Sequence, residues 1–208
     1  VTPMNLFYAK GTVSIAPALA LLEAGLDHDL SRLDFAEAAQ TKPEYLAINP
    51  KGRVPALVLD DGSVLTETGA LLDYIAAIAP AAKLVPASPT DAVHMRSVMY
   101  YLASTMHIAH AHKMRGNRWA DKAESFADMA AKVPSTMAAC AAYVEAECLR
   151  GDYVCGDTFS IADPYLFVVC NWLAGDGVSV ADYPKISAFM ARMETRDSVK
   201  TVRAKGMM

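Results

Sequence analysis

Three hydroxyl-bearing side chains stand close together near the start of the chain, in the stretch FYAKGTVS. Tyr8 ends a predicted strand, Thr12 lies in the following turn, and Ser14 stands where a helix is expected to begin. A helix N-terminus attracts negative charge, and a hydroxyl group there can donate a hydrogen bond to an anion. The turn is therefore a candidate anion-stabilising site, with Ser14 as the preferred donor. Two ordinary structural roles compete with it: Tyr8 as a partly buried strand aromatic and Ser14 as a helix cap.

A second candidate site combines Val54-Pro55 with Glu67-Thr68. Proline removes a donor from a strand ladder, so Pro55 belongs at the start or the edge of a strand. A cis bond before Pro55 would expose the N–H and C=O of Val54, and an extended peptide could pair with them. The free N–H groups of a helix beginning at Thr68 would attract a carboxylate, while Glu67 would attract an ammonium group. Together these features predict a peptide clamp that holds an amino acid head group at one end.

His107, His110 and His112 raise the question of a metal site. At ~3.6 residues per turn, His107 and His110 share a helix face, whereas His112 lies about 200° from His110. The three side chains cannot converge on one ion, so we expect no metal there. His107 is a candidate hydrogen-bond donor, with an ordinary helix-face histidine as the alternative.

All four cysteines lie in the last third of the chain, and their spacing lacks the two-residue pairs that zinc or dithiol chemistry favours. We expect them to be reduced thiols without a catalytic role. They are Cys140, Cys148, Cys155 and Cys170.

Composition excludes several classes of function. The 208 residues carry a formal net charge of −4 and include no basic cluster, so the chain lacks the electrostatic footprint of a nucleic-acid binder. No apolar run approaches the 18 or so residues that span a bilayer, and no secretory signal precedes the first strand. We expect a cytoplasmic protein with neither nucleic acid nor membrane as a partner.

Strand and helix patterns alternate between residues 4 and 79, in the order β-α-β, a loop, then β-β-α. Gly25 stops the first helix, and Asp61-Gly62 marks a hairpin between the last two strands. The predicted strands are MNLFYA, HDLSRLDF, VPALVLDD and SVLTE, and the predicted helices are SIAPALALLEAG and GALLDYIAAIA.

The second part of the chain is predicted to be all helical. PAAKLVPASP holds three prolines and is typical of a linker, and from Thr90 onward the sequence is rich in alanine, methionine and leucine, without a strand pattern. In FSIADPYLF, Ser160 and Asp163 form a capping-box pattern, which gives Asp163 a structural role. We predict one domain at 1–80, a linker at 81–89 and a helical domain at 90–208.

The clamp, the linker, the helical part and the stretch GDTFSIADPYLFVVCNW together resemble the cytosolic glutathione transferase family. INPKGRVPALVLDDGSVLTE is most similar to the bacterial beta class. The resemblance covers essentially the whole chain. It implies a thioredoxin-like N-terminal domain followed by an all-helical C-terminal domain, usually in a homodimer with glutathione bound beside the interface.

The resemblance also implies roles for individual residues. Val54 would pair with the cysteinyl backbone of glutathione beside a cis Pro55, and Glu67 and Thr68 would hold the γ-glutamyl end. Conjugation needs the thiolate, whereas a free thiol titrates near ~8.5, so a group in the first turn must lower its pKa. Ser14, Tyr8 and Thr12 are the candidates for that group, and His107 stands where the class has its active-site histidine.

The chain departs from the beta-class pattern at three places. Val13 stands where that class has a cysteine, so mixed-disulfide chemistry at this position is excluded and a hydroxyl must serve instead. Ile108 replaces the lysine after the histidine, and Ala38 lies near the position of an expected basic residue. Arg53 or Lys42 could supply the missing cation for the glycyl carboxylate.

These departures leave competing functions open. The first is a glutathione transferase whose bound thiolate attacks small, largely apolar electrophiles in detoxification. The second is a non-catalytic binding or interaction protein that keeps the fold, because fold does not fix function. A narrower third possibility is glutathione-dependent isomerisation or reduction.

Overall fold

The structure is a computed structural model that describes residues 3–208. Its contacts divide the chain into two compact units: the first extends to Val85 and takes in Glu194–Met208, and the second is Pro86–Met193. The domain limits at residues 80 and 90 stay a prediction, and residues 1 and 2 of the first predicted domain lie outside the described part.

The first unit contains a four-stranded mixed sheet with strand order β2-β1-β3-β4. β1 runs parallel to β2 and antiparallel to β3, and β3 runs antiparallel to β4. This arrangement confirms the predicted thioredoxin-like fold. The strands are β1 (Met4–Tyr8), β2 (His28–Arg32), β3 (Ala56–Val58) and β4 (Val64–Thr66), and the helices are α1 (Ile15–Glu23), α2 (Pro43–Leu46) and α3 (Thr68–Ile78).

The core of this unit lies where the sheet meets α1 and α3. Leu6 in β1 and Leu57 in β3 pair at the centre of the sheet, and both are fully buried. From the helices, Leu19, Leu72 and Ile75 are also fully buried. Burying such a side chain contributes roughly 1.5–3 kcal/mol, so the apolar period of each helix explains how it packs.

Strand register brings three chain segments to one end of the sheet. Phe7 of β1 lies opposite Ala56 of β3, and Ala56 lies opposite Thr66 of β4. The next residues toward this end of the sheet are Tyr8, which follows Phe7, Pro55, which precedes Ala56, and Glu67, which follows Thr66. The antiparallel pairing of β3 with its two neighbours thus puts both candidate sites of the sequence at the same edge.

The second unit is built from helices, as predicted, and within residues 86–193 only isolated bridges at residues 153–158 have β character. A π-helical segment, Leu102–Met106, joins α4 to α5. The buried side chains that form its core include Met95, Leu166 and Phe189. The helices are α4 (Pro89–Tyr101), α5 (His107–Ala111), α6 (Ala123–Tyr143), α7 (Ala162–Cys170) and α8 (Pro184–Glu194).

One half of the predicted capping box at α7 is present: Asp163 reaches back to the Ser160 N–H, whereas the Asp163 N–H bonds the Ser160 carbonyl oxygen and not its hydroxyl. Asp163 is fully buried, and its Oδ2 accepts a hydrogen bond from the Ser160 N–H at 2.7 Å. Its Oδ1 accepts a second bond from the Val154 N–H at 2.9 Å, which the local pattern did not predict. Asp163 therefore fixes both the start of α7 and the loop before it.

The C-terminal helix α9 (Asp197–Ala204) belongs to the first unit and packs against α1. Just before it, Arg196 forms a two-pronged ion pair with Glu23 at the end of α1, with N···O distances of 2.7 and 2.6 Å. The Ser198 hydroxyl donates to the same carboxylate at 2.5 Å. No helix in the described part of the chain has the length and apolarity needed to cross a membrane.

Candidate glutathione site

The first turn forms a closed hydrogen-bond network around Ser14. Its Oγ accepts from the Ala9 N–H at 3.1 Å and lies 2.6 Å from the Thr12 Oγ1. The Thr12 hydroxyl donates to the Ala9 C=O at 2.8 Å. The Ser14 Oγ also lies 3.4 Å from the Ala9 carbonyl oxygen, so either hydroxyl could supply the proton of the 2.6 Å contact. The shorter Thr12–Ala9 bond favours the arrangement in which Thr12 donates to Ala9 and Ser14 donates to Thr12. Ser14 therefore holds the Thr12 hydroxyl in position through a hydrogen bond.

Exposure separates the three hydroxyl candidates. Ser14 is fully buried and Tyr8 is 8% exposed, whereas Thr12 is half-buried. A ligand cannot reach a fully buried hydroxyl unless the surrounding turn moves. Among the three, Thr12 is the hydroxyl that a ligand can approach with the least rearrangement.

The peptide between Arg53 and Val54 is held in place by two buried side chains. The Arg53 carbonyl oxygen accepts from the Tyr45 hydroxyl at 2.6 Å and from the Asn49 Nδ2 at 2.7 Å. Burial raises the pKa of Tyr45, so its hydroxyl keeps the proton that it donates. Since C=O and N–H of a trans peptide point in opposite directions, these two bonds also fix the direction of the Val54 N–H. The Val54–Pro55 bond is cis.

The start of α3 presents backbone N–H groups beside the end of β4. Glu67 is the N-cap residue, with φ +72°, and no side chain within the described residues caps this helix. The first N–H groups of a helix have no partner within it and carry partial positive charge. Thr68, the first residue of α3, is buried, and the Glu67 side chain is exposed. A carboxylate could bind at the helix start, with an ammonium group at Glu67.

Lys51 and Arg53 are cationic side chains that shortly precede Pro55 in the sequence, and their surroundings differ. Lys51 Nζ lies 2.5 Å from Glu67 Oε1 and 2.8 Å from Thr66 Oγ1. Arg53 is exposed at its side chain, although its carbonyl oxygen is tightly held. A role for Arg53 toward a ligand carboxylate stays a prediction.

His107 lies in the second unit, on α5. Its ring packs against Trp172 with centroids 5.0 Å apart, and His110 stacks on the same indole at 4.2 Å. His110 Nδ1 also bonds the buried carboxylate of Asp176 at 2.6 Å. His112 instead contacts Trp119, as expected from its different helix face. The part of His107 in binding glutathione stays a prediction.

Cys148, Cys155 and Cys170 have environments that disfavour thiolates. Burial raises the pKa of the Cys148 thiol to about 12, with the nearby charge of Glu147 adding to the shift. Burial likewise raises the pKa of Cys155 and of Cys170. All four cysteines are free thiols, and all lie in the second unit. No group of three or more His, Cys, Asp or Glu side chains among residues 3–208 is arranged to hold a metal ion.

Sequence reasoning missed three residues of this site. Tyr45 and Asn49 hold the Arg53 carbonyl, and Lys51 contacts Glu67. The polar Asn-Pro-Lys-Gly turn signal was visible, but only the folded loop shows which backbone group its side chains meet. Tyr45 and Asn49 are nearly fully buried, which suits a positioning role.

This fold and this edge of the sheet define the class of protein. The model of the glutathione S-transferase N-terminal domain matches residues 14–78, and that of the C-terminal domain matches residues 99–197. Glutathione S-transferase GstA of Escherichia coli O157:H7 is 32% identical over 199 residues, covering 95% of this chain and 96% of that protein. The chain belongs to the glutathione S-transferase family.

Solved structures agree over the full length. A glutathione transferase homologue from Sulfitobacter, with bound glutathione, is 64% identical, with a TM-score of 0.99 and complete coverage of both chains. A beta-class glutathione S-transferase from Sphingomonas chungbukensis is 33% identical, with a TM-score of 0.83, and covers 98% of this chain and 100% of that one. The predicted similarity to the bacterial beta class is confirmed.

Proposed function

We propose that this chain is a glutathione transferase that binds glutathione at the edge of the sheet where Tyr8, Pro55 and Glu67 meet. The observation that carries the proposal is the register of β1, β3 and β4, because it gathers a peptide-pairing backbone, a helix N-terminus and a hydroxyl-rich turn. The Sulfitobacter relative with bound glutathione supports the choice of ligand.

Each part of glutathione has a complementary group. The oriented N–H of Val54 pairs with the cysteinyl backbone, as in strand addition. The α-carboxylate of the glutamyl residue takes the uncapped N–H groups at the start of α3 and the Thr68 hydroxyl. The glutamyl ammonium binds Glu67, and Arg53 offers a cation to the glycyl carboxylate.

Thr12 is the proposed donor to the thiolate. Its proton turns from the Ala9 carbonyl to the sulfur, while Ser14 continues to donate to Thr12 Oγ1. That second bond polarises Thr12 and makes it a stronger donor. The proposal therefore makes Ser14 a positioning residue, although the sequence favoured it as the direct donor.

The reaction is nucleophilic substitution or addition by the bound thiolate. The thiol proton leaves to solvent, and the sulfur forms a bond to an electrophilic carbon. In substitution a leaving group such as chloride departs with the bonding electrons, whereas in addition the electrophile's π electrons shift and take up a proton from solvent. Stabilising the thiolate and holding it in position are the two contributions that this protein makes. The substrates we propose are small, largely apolar electrophiles, which fits a role in detoxification.

The test measures the pKa of bound glutathione and the rate of conjugation together. Ultraviolet absorbance follows the thiolate as pH is varied, and 1-chloro-2,4-dinitrobenzene serves as the electrophile. We expect Thr12→Val to raise the thiol pKa and to lower kcat/KM about tenfold, as loss of one charge-assisted hydrogen bond predicts. Thr12→Ser is the matched control and should stay close to the parent protein, and Ser14→Ala should show a smaller loss.

Other outcomes would redirect the proposal. An unchanged thiol pKa in Thr12→Val would remove Thr12 and leave Tyr8, tested by Tyr8→Phe. Glutathione binding without any lowered pKa would favour the non-catalytic alternative. Glu67→Ala should weaken glutathione binding and leave the thiol pKa of the complex unchanged.

A homodimer and a cytoplasmic location belong to the same proposal. Val93 and Tyr100, seven residues apart on α4, are 67% and 64% exposed, and such an apolar face suits a subunit interface. Free thiols throughout are typical of a reducing compartment. Sedimentation equilibrium that gave the mass of one chain would contradict the dimer.

A further inference from the structure

Lys51 contacts the Glu67 carboxylate, to which the proposed function assigns the binding of the ligand's ammonium group. The Lys51 ammonium group lies 2.5 Å from Glu67 Oε1 and 2.8 Å from Thr66 Oγ1. A primary ammonium with three donors is also what the glutamyl end of glutathione presents. The Thr66 hydroxyl and the Glu67 carboxylate thus already form an ammonium-binding pair, occupied by a side chain of the protein itself.

One carboxylate has a single negative charge to offer. Two ammonium groups that each lie about 3 Å from Glu67 would stand close to one another and repel, because both carry a full positive charge. Lys51 at this carboxylate therefore opposes the binding of a ligand ammonium, and moving Lys51 away removes the repulsion. Its side chain is 41% exposed, so solvent can receive it.

We propose that Lys51 competes with the ligand's ammonium for Glu67, and thereby lowers the preference of the site for glutathione over ligands that lack the amino group. The inference rests on the proposed function, since it takes Glu67 as the ammonium site. It assigns to Lys51 a part in specificity that the family resemblance did not suggest.

The alternative is that Lys51 holds Glu67 in position for the ligand. The backbone of Glu67 is already constrained from both sides, because β4 ends at Thr66 and the Glu67 carbonyl accepts from the Leu71 N–H at 2.9 Å in α3. The Glu67 side chain is 70% exposed, so its surroundings do not need Lys51 to keep it out of the core. These features favour competition over support.

The size of the effect follows from the exposure of the pair. Exposed ion pairs contribute about 1.5- to 5-fold to an equilibrium constant. Removing Lys51 should therefore strengthen glutathione binding by about 1.5- to fivefold. High salt should reduce the gain, because both groups are open to screening.

The experiment compares two ligands by calorimetry: glutathione and glutaryl-cysteinylglycine, which keeps the carboxylates and the thiol but lacks the amino group. Lys51→Met removes the charge at similar side-chain length, and Lys51→Arg keeps the charge as the matched control. We expect Lys51→Met to bind glutathione about 1.5- to fivefold more tightly and the analogue as before, with Lys51→Arg close to the parent protein. In a Glu67→Gln background, Lys51→Met should change neither affinity.

Weaker glutathione binding by Lys51→Met would show that Lys51 supports Glu67 and would overturn the inference. An equal change for both ligands would also overturn it, since the ammonium would then play no part. If the parent protein bound neither ligand, the proposed function would fail first and the inference with it. Failure of the proposed function is thus distinct from failure of the inference alone, because only the former abolishes ligand binding by the parent protein.

Discussion

The N–H of Gly11, in the turn that carries Thr12, donates to the carbonyl oxygen of Met207 at 2.9 Å. Met207 is fully buried, and both residues lie in the first unit. The last turn of the chain therefore holds the turn at which the proposed thiolate donor is placed. Gly11 has φ +69°, a conformation that favours glycine, so the turn depends on this backbone geometry.

Deleting residues 207 and 208 should free the first turn. We expect faster hydrogen exchange at the Gly11 amide and a lower kcat/KM, because the donor at Thr12 loses its fixed position. Met207→Ala is the control: it keeps the carbonyl group but removes buried side-chain contacts, costing about 2–5 kcal/mol of stability. Equal Gly11 exchange in the deletion and in the full chain would show that this bond does not hold the turn.

The ion pair of Glu23 with Arg196 predicts acid sensitivity. Burial alone would raise the pKa of Glu23, but hydrogen bonds from Arg196 and Ser198, with the Arg196 charge, outweigh it, and the pKa lies below its usual value. A carboxyl with a lowered folded-state pKa stabilises the protein above its unfolded pKa, near ~4.3, and loses that contribution as pH falls through the folded value. Stability should therefore fall with acid over the range from about pH 5 downward.

Glu23→Gln is the variant that tests this origin. It should be less stable than the parent protein at neutral pH, and the difference should shrink as pH falls below about 4, because the parent carboxylate then becomes protonated. Urea unfolding at a series of pH values measures both. A difference that stayed constant from pH 7 to pH 3 would show that Glu23 is not responsible for the acid sensitivity.

The Tyr45 hydroxyl helps to fix the direction of the Val54 N–H by binding the Arg53 carbonyl oxygen, so Tyr45→Phe tests the peptide clamp. The substitution removes one donor to the Arg53 carbonyl and keeps the ring in place. We expect about 1 kcal/mol less stability and several-fold weaker glutathione binding, with the thiol pKa of the complex unchanged. Tyr74→Phe is the control, on a half-buried tyrosine of α3 in the same unit. If the two variants bound glutathione equally well, the clamp would not need the Tyr45 bond.

Features with a local cause were predictable from the sequence. Strand-like and helix-like patterns of apolar residues predicted the four strands and the helices α1 and α3 of the first unit. Pro55 marked the start of β3. The capping pattern of Ser160 and Asp163 predicted the start of α7, because all its atoms lie within four residues. The resemblance then supplied what the pattern could not: the ligand at this edge of the sheet.

Features that depend on distant contacts were not predictable. Arg196 and Glu23 are separated by 173 residues, and no spacing rule connects them. The burial of Ser14, which moves the proposed donor role to Thr12, depends on how the turn folds back on Ala9. The sequence carries no local signal for Lys51, since its contact with Glu67 requires the paired strands between them.

Asp163 provides a test of how much one buried cap stabilises the second unit. Its carboxylate accepts from the N–H groups of Ser160 and Val154 and from the Ser160 hydroxyl, and it is fully buried. Asp163→Ala would leave two buried N–H groups without an acceptor, at roughly 1–3 kcal/mol each. We therefore expect a loss of about 3–5 kcal/mol in the free energy of unfolding, measured by urea denaturation.

Asp152→Asn is the contrasting variant. Asp152 also forms an ion pair, with Arg192 at 2.7 Å, but its side chain is 56% exposed. An exposed pair of this kind contributes about 0–1 kcal/mol. If Asp163→Ala and Asp152→Asn lowered stability by similar amounts, the burial of Asp163 would not explain its effect. A large difference would instead locate the stabilisation in the two buried N–H groups that Asp163 accepts from, since water already reaches Asp152.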